Sequence, residues 1–328
     1  MQGLCCPIRQ NNVQLQHLNP FPQEETLQSF LATLDVMLPV TLAVVLAVIF
    51  GKLVKVDARP ISQAVIYLFG PCLILYSLLS RPIDSSALLG IFALSFLSTL
   101  FLVGIGWLIA RALKVDQPLQ ATIMLSMSLG NTGTIGLPLA EFAFGVEGLQ
   151  YAAVFYVTTT VVANILGVYL PSAGQVSFKE IVIRILKVPM IYAAVIGVAL
   201  NLMGVQMPLF LERTTYLLGY PAVAGGIAFM GIRLANMKLK GNLKPILLTS
   251  LARVLLTPLV GLFTALILNS DPLVRDVGIL QISVPTALFT AMFAEEFGGE
   301  SEVASGIILM SSVFSLITLS VLIALLLA

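Results

Sequence analysis

The stretch GNTGTIGLPLAEFAFG at residues 130–145 decides the fold, because glycine, threonine and proline interrupt an apolar segment long enough to cross a bilayer. A second stretch, ISVPTALFTAMFAEEFG at residues 282–298, carries the same kind of interruption about 150 residues later. A break in a membrane helix frees backbone groups that can bind a solute near the bilayer midplane. Two breaks at corresponding positions of two halves therefore indicate the binding site of a secondary transporter.

The composition predicts an all-α integral membrane protein. Hydrophobic residues make up 58% of the 328 residues and charged residues only 10%, which is too little polar surface for a soluble domain of this size. Only helices suit such a chain, since no alternating barrel pattern is present. Ten apolar runs are near the length that spans a hydrocarbon core. They cover residues 36–52, 61–80, 87–111, 118–145, 149–171, 188–206, 208–234, 246–269, 274–297 and 303–327.

Several classes of function are not supported by the sequence. The net charge of +1 and the lack of a basic patch among aromatics give no sign of a nucleic-acid partner. Cys5, Cys6, Cys72 and the single His17 have no metal-ligand or disulfide spacing, so no metal or cofactor is expected. An enzyme would need a nucleophile with its base or a metal motif such as H-E-x-x-H, and the chain offers none.

The first 35 residues differ from the rest. They are polar and lack the apolar core of a signal peptide, so we expect a disordered N-terminal tail. Basic residues in the loops set the orientation, because Lys and Arg stay on the cytoplasmic side. Twelve lie after predicted spans 1, 3, 5 and 7, whereas four lie on the other side, which places both termini outside the cytoplasm. The loop after span 9 does not fit well, because it is acidic.

Proline positions indicate an internal repeat. Pro39 and Pro71 recur about 150 residues later as Pro189 and Pro221, and the interruptions at 130–145 and 282–298 keep nearly the same spacing. Five spans in each half is an odd number, so the second half enters the membrane upside down, as in alternating-access carriers. The predicted divisions are residues 1–35, a first repeat at 36–171, a short cytoplasmic loop at 172–187 and an inverted second repeat at 188–328.

Ten spans and three motifs resemble the auxin efflux carrier family: N-x-G-x-x-G-L-P-L at 131–139, P-x-A-x(6)-A-E-x-F-G at 285–298 and G-P-C-L-I-L-Y at 70–76. This resemblance implies the fold of bile-acid symporters, arsenite carriers and sodium/proton antiporters: a scaffold domain and a transport domain in which broken helices 4 and 9 cross. In the length of the loop at 172–187, the chain resembles the short bacterial permeases for malate or malonate rather than the plant carriers, whose loop is long. A bacterial permease would lie in the inner (plasma) membrane.

The residues around the two breaks are the candidate binding site. Half-helix N-termini present free N–H groups and a positive dipole end, which favours a carboxylate. Asn131 adds an amide donor and acceptor, and nearby glycines would let a ligand approach the backbone. Small residues also serve close helix packing, so that alternative stays open. The candidates are Gly130, Asn131, Thr132, Gly133, Thr134, Gly136, Pro138, Gln281, Ser283, Pro285 and Thr286.

Three charged residues are candidates for charge pairing or ion coupling. Arg253 lies in an apolar span, where it pairs with an acid or snorkels to the interface. Glu141 and Glu295 would carry a coupling proton if burial raised their carboxyl pKa, or else end helices at the interface.

The expected function is secondary transport of small organic anions such as mono- or dicarboxylates by alternating access. The alternative is a sodium- or proton-coupled antiporter or symporter of the same fold with an ion as its main ligand. The expected partners are the anion, the lipid bilayer and a coupling proton or sodium ion, and a homodimer is one open arrangement.

Overall fold

The computed structural model describes residues 22–54 and 56–327, and its regular elements are helical. The first seven helices are α1 (Pro22–Val54), α2 (Arg59–Ala64), α3 (Gly70–Leu79), α4 (Ser85–Leu113), α5 (Gln117–Ser128), α6 (Leu137–Tyr169) and α7 (Phe178–Leu186). The next seven are α8 (Pro189–Leu202), α9 (Leu209–Gly219), α10 (Pro221–Asn236), α11 (Leu243–Ile267), α12 (Pro272–Ser283), α13 (Phe289–Phe297) and α14 (Ser301–Leu327). The all-α prediction is confirmed for this part of the chain.

Seven helical segments of the described chain are long and apolar enough to cross a membrane, and the bent pair α7–α8 makes up to eight. Large apolar side chains on these segments face outward, including Leu46 at 65% and Ile317 at 74% exposure, because lipid rather than water surrounds them. The count of ten stays a prediction. It requires each interrupted segment, at 117–145 and 272–297, to count as one span. It also requires α6 to be divided at Gly145, where the backbone is not helical.

Two π-helical turns precede prolines in the same way. Val65–Phe69 lies between α2 and α3, just before Pro71, and Thr132–Gly136 opens α6, just before Pro138. Proline has no N–H to donate to the carbonyl four residues earlier and its ring crowds that group. A wider turn, in which an N–H reaches back five residues, accommodates the proline without breaking the helix.

The N-terminal helix begins earlier than the sequence predicted. Residues 22–35, which we expected in a polar tail, are helical and belong to α1. Residues 1–21, with Cys5, Cys6 and His17, lie outside the described residues.

The expected loop at 172–187 contains a helix. The Ser177 hydroxyl accepts a hydrogen bond from the Glu180 N–H and caps α7, whose Ile181 is buried while Phe178 is 79% exposed. A short helix with charged residues on one side and apolar residues on the other is typical of the membrane interface. A bend of 67° separates α7 from α8.

Helices from both halves of the sequence pack together in two groups. One group joins α1 with α10, and α3 with α8 and α9. The other joins α4 with α5 and α6, and α11 with α12 and α14. Contacts of α1 with α14 and of α3 with α6 connect the groups. The division of the chain at residues 171 and 188 is therefore not a division of the packing, and the repeat boundaries stay a prediction.

The charged loops after α1, α10 and α13 lie together on one side of the molecule. Lys240 Nζ lies 3.6 Å from Glu302, and Arg184 donates to Glu296 over 2.8 Å. The acidic residues after the second interrupted segment thus lie beside basic residues, and the orientation stays a prediction. Asp84 caps the start of α4. It accepts bonds from the Ser86 hydroxyl and N–H, and these bonds hold the pKa of its carboxyl below the ordinary value.

Candidate binding site at the crossing of two broken helices

The two interrupted segments meet at their breaks. The helix α5 ends at Ser128 and the next turn starts at Thr132, while α12 ends at Ser283 and α13 starts at Phe289. The exposed backbones pair antiparallel, with Gly130 opposite Thr286. Asn131 N–H donates to Pro285 C=O over 2.8 Å, and Ala287 N–H donates to Leu129 C=O over 2.9 Å. Buried backbone groups need hydrogen-bond partners. Here the backbone of each break provides partners for the backbone of the other.

Asn131 is the polar side chain of the first break. It is 8% exposed, and its Nδ2 lies 3.2 Å from the Met230 sulfur on α10. A thioether is a weak acceptor, so this amide retains most of its capacity to bind a ligand. The Asn131 carbonyl accepts from the N–H groups of Ile135 and Gly136, which fixes the start of the following turn.

Thr132, Gly133 and Thr134 form the first helical residues after this break. The N–H groups of a first turn have no acceptor within their own helix and carry the positive end of its dipole. The Thr132 hydroxyl lies 3.3 Å from that of Thr159, so it is already partnered. Thr134 lies beside Gly226 of α10.

The three candidate glycines lie against protein groups rather than open space. A Cβ on Gly133 would lie 2.7 Å from the Tyr156 ring, and one on Gly136 would lie 2.2 Å from Gln281 Oε1. A Cβ on Gly130 would lie 2.5 Å from Arg253 Nη2. In this conformation the glycines allow close packing of the crossing, the alternative that the sequence had left open.

The polar residues of the second break are held by neighbouring helices. The Thr286 hydroxyl donates to the Ser126 carbonyl over 3.0 Å, and the Thr286 N–H donates to the Ser311 hydroxyl. The Ser283 hydroxyl donates to the Ile279 carbonyl of its own helix. Gln281 differs, because its amide is fully buried and neither Oε1 nor Nε2 has a hydrogen-bond partner among residues 22–54 and 56–327.

Prolines occupy different places in the two segments. Pro285 lies inside the second break, and its carbonyl accepts from Asn131. Pro138 lies in the first turn of α6, several residues beyond the first break. The first break thus depends on residues 129–131, and Pro138 accounts for the π-helical turn that follows them.

A cavity of about 40 Å³ adjoins the first break. Gly133, Thr134 and Tyr156 line it from one side, and residues of α3 and α10, including Gly70 and Gly226, line it from the other. This volume is close to that of one water molecule in the liquid. The cavity lies where the two groups of helices face each other.

A larger cavity of about 790 Å³ opens on the side of the charged loops. It lies between the end of α10 and the helices α13 and α14. Four basic and four acidic residues line it: Arg59, Arg233, Lys238, Lys240, Asp57, Glu295, Glu296 and Glu302. One of its inner residues, Phe229, precedes the Met230 that contacts Asn131.

The three charged candidates lie in different surroundings. Arg253 is fully buried at the crossing. Glu141 is half-buried and accepts a hydrogen bond of 2.5 Å from the Tyr220 hydroxyl of the chain between α9 and α10. Glu295 is exposed in the large cavity, and its role in ion coupling stays a prediction.

Sequence reasoning missed Met230, Tyr156 and Thr159 as neighbours of the first break. Met230 comes from α10, which is remote in sequence, whereas Tyr156 and Thr159 lie several turns along α6. A methionine or tyrosine in an apolar span has no distinctive pattern. Among the described residues no group of three or more metal-ligating side chains comes together.

Known proteins resemble this chain over nearly its whole length. An uncharacterized transporter of Methanothermobacter thermautotrophicus is 28% identical over 287 residues, covering 87% of this chain and 94% of that protein. An uncharacterized transporter of Methanocaldococcus jannaschii is 26% identical, with 88% and 96% covered. A protein of Rhizobium meliloti provisionally named a malonate transporter is 26% identical, with 79% and 84% covered.

The family model described as membrane transport protein matches residues 29–323. That match covers the breaks, the crossing and both groups of helices. The chain is a multi-pass membrane protein that belongs to the membrane transport protein family, the family of auxin efflux carriers that its motifs resemble.

Proposed function

We propose that this protein is a secondary carrier for small organic anions, with malonate-like dicarboxylates as the first substrates to test. The observation that carries the proposal is the crossing itself, where two broken helices exchange backbone hydrogen bonds beside Asn131. Interrupted helices that meet in this way form the substrate sites of alternating-access carriers. The provisional name of the Rhizobium meliloti relative supports the choice of malonate.

The chemistry of the first break favours a carboxylate. The N–H groups of Thr132, Gly133 and Thr134 lie in the first helical turn, at the positive end of the helix dipole, and Asn131 directly precedes them. A carboxylate accepts several such bonds at once, and bonds to a charged group are the strong ones. Gln281, whose buried amide has no partner, offers further donors when the packing at Gly136 opens.

Transport in this proposal requires the two groups of helices to move apart. The cavity of about 40 Å³ beside Gly133 is too small for a dicarboxylate, because small-molecule sites measure about 300–1,000 Å³. The group that holds α4–α6 and α11–α14 would carry the crossing, and the group of α1, α3 and α8–α10 would form the fixed scaffold. The cavity of about 790 Å³ would then be the entrance on one side.

The finer architecture belongs to the same proposal. We infer ten spans in two inverted five-helix repeats, with the interrupted segments as the fourth and ninth. The antiparallel pairing of Gly130 with Thr286 supports this, since equivalent segments of an inverted repeat run in opposite directions. The loops around the large cavity would face the cytoplasm of a cell whose plasma membrane holds the protein, with both termini on the other side.

Flux measurements on the purified protein in lipid vesicles test the function. Labelled malonate, malate, pyruvate and indole acetate are each offered with and without sodium and pH gradients. We expect saturable flux of one or more of these carboxylates. Ion flux without any acid would instead make the protein an ion antiporter.

The Asn131→Ala variant tests whether the substrate binds at the crossing. A hydrogen bond to a charged group contributes about 1.5–3 kcal/mol, so we expect transport per molecule to fall by about tenfold or more. Asn164→Ala is the matched control, because Asn164 Nδ2 only bonds the Thr160 carbonyl of its own helix. Normal transport by Asn131→Ala, at equal abundance in the vesicles, would show that the crossing does not bind the substrate.

A further inference from the structure

Arg253 is a charged side chain enclosed by the helix ends of the crossing. It lies near the middle of α11 and is fully buried. The three ion pairs of residues 22–54 and 56–327 join Arg184 to Glu296, Lys240 to Glu302 and Arg275 to Asp276. Within that part of the chain, Arg253 therefore has no carboxylate at ion-pair distance, although a buried charge normally requires compensation.

Backbone carbonyls take the place of a carboxylate. Arg253 Nη1 donates to the Met127 carbonyl near the end of α5. Nη2 donates to the Ile282 carbonyl over 3.1 Å and to the Val284 carbonyl over 2.9 Å, at the end of α12 and in the second break. One guanidinium thus bridges the carbonyl ends of both interrupted helices.

The partial negative charge of these carbonyls makes their position a cation site. The last carbonyls of a helix have no partner within it and carry the negative end of its dipole. In carriers with discontinuous helices, unwound carbonyls and half-helix C-terminal ends coordinate sodium or a proton. Here the ends of α5 and α12 converge, and a guanidinium occupies the position between them.

The sequence of the first break makes room for this guanidinium. A Cβ on Gly130 would lie 2.5 Å from Arg253 Nη2 and 3.0 Å from a methyl group of Val284. Any larger residue at position 130 would displace the side chain from the carbonyls. The fit of Gly130 to Arg253 is independent of the hydrogen bonds and points to the same arrangement.

We propose that Arg253 is a tethered cation that permanently occupies the carbonyl site between α5 and α12, so that the protein binds no sodium ion there. Its charge holds the two helix ends together, as a bound ion would. As far as it concerns transport, the inference rests on the proposed carrier function; its consequences for cation binding do not.

The first test uses the unmodified protein in detergent. The Tm is measured in sodium, potassium and choline chloride at equal ionic strength, and we expect the same value in all three. A ligand that binds the folded state raises its stability as its concentration increases. A rise in Tm specific to sodium would overturn the proposal.

The second test empties the site. Arg253→Ala should have a lower Tm that is partly restored by millimolar guanidinium or by sodium, and not by choline. Arg111→Ala is the control, because Arg111 lies over the Trp107 ring and should show no such response. An Arg253→Ala protein that is insensitive to every small cation would contradict a cation site. If that variant does not fold, Arg253→Lys, which keeps the charge, should fold and stay insensitive to sodium.

The transport arm separates the two proposals. We expect carboxylate flux at the same rate with sodium as with choline. If no carboxylate is carried but the Tm results hold, only the carrier proposal fails. If flux occurs and both flux and Tm respond specifically to sodium through residue 253, only the tethered-cation proposal fails.

Discussion

The first break, at residues 129–131, and the second, at 284–288, contribute different groups to the same crossing. The first presents the Asn131 amide and a glycine-rich turn beside a cavity between the two groups of helices. The second is anchored on both sides, since Thr286 bonds both Ser126 and Ser311. The comparison suggests a division of roles, in which the first break binds the substrate and the second fixes the geometry.

Gly136→Ala should have the largest effect of the variants that test this division. The new Cβ would lie 2.2 Å from Gln281 Oε1, and overpacking a well-packed site costs about 1–3 kcal/mol. We expect a lower Tm and lower abundance in the membrane. Gly104→Ala is the matched control, because nothing lies within 4 Å of a Cβ at that position.

A double variant identifies the cause of that loss. Gly136→Ala with Gln281→Ala removes the crowded amide and should recover part of the lost Tm. If the double variant is no more stable than the single one, contact between the two breaks does not limit the packing at Gly136.

Thr286→Val should have a smaller effect, and on stability rather than on transport. It deletes the bond to the Ser126 carbonyl, and such bonds in membrane proteins contribute about 0.6 kcal/mol on average. We expect a modest fall in Tm with unchanged flux per molecule, the opposite of Asn131→Ala. Thr264→Val, which loses a bond to the Val260 carbonyl of its own helix, is the control. Loss of flux at normal Tm would mean that both breaks bind the substrate.

Arg184→Gln should have the smallest effect. The Arg184–Glu296 pair joins α7 to α13, but its side chains are 39% and 56% exposed. Exposed pairs contribute about 0–1 kcal/mol and weaken with salt. We expect a small fall in Tm that disappears at high ionic strength. A large change in flux would mean that α13, after the second break, moves during transport.

The sequence predicted the elements that depend on local composition. Apolar runs gave the all-helical membrane class, and the interruptions near residues 130 and 285 located the crossing, because glycine and proline act on the backbone where they stand. It did not predict that Pro138 lies beyond the break, since a π-helical turn depends on how the surrounding helices permit extra width.

The partners of the site could not be predicted. Arg253 was expected to pair with an acid or to snorkel to the interface, whereas it binds carbonyls at the ends of α5, which is remote in sequence, and of α12, the next helix. Met230 and Tyr156 approach the first break only because α10 and α6 pack around it. Such contacts depend on tertiary packing, which leaves no mark in the pattern of a single span.

The π-helical turn at Thr132–Gly136 has a consequence for length variation along the chain. Each helical residue advances the side chains by about 100°, so deleting one residue from this turn would rotate the first part of α6, up to its kink at Gly145, relative to its neighbours. Deleting one residue near Gly241, in the loop between α10 and α11, does not change the rotation of side chains along a helix. Alignments with relatives of 26–28% identity should therefore place gaps in that loop and keep residues 132–136 intact.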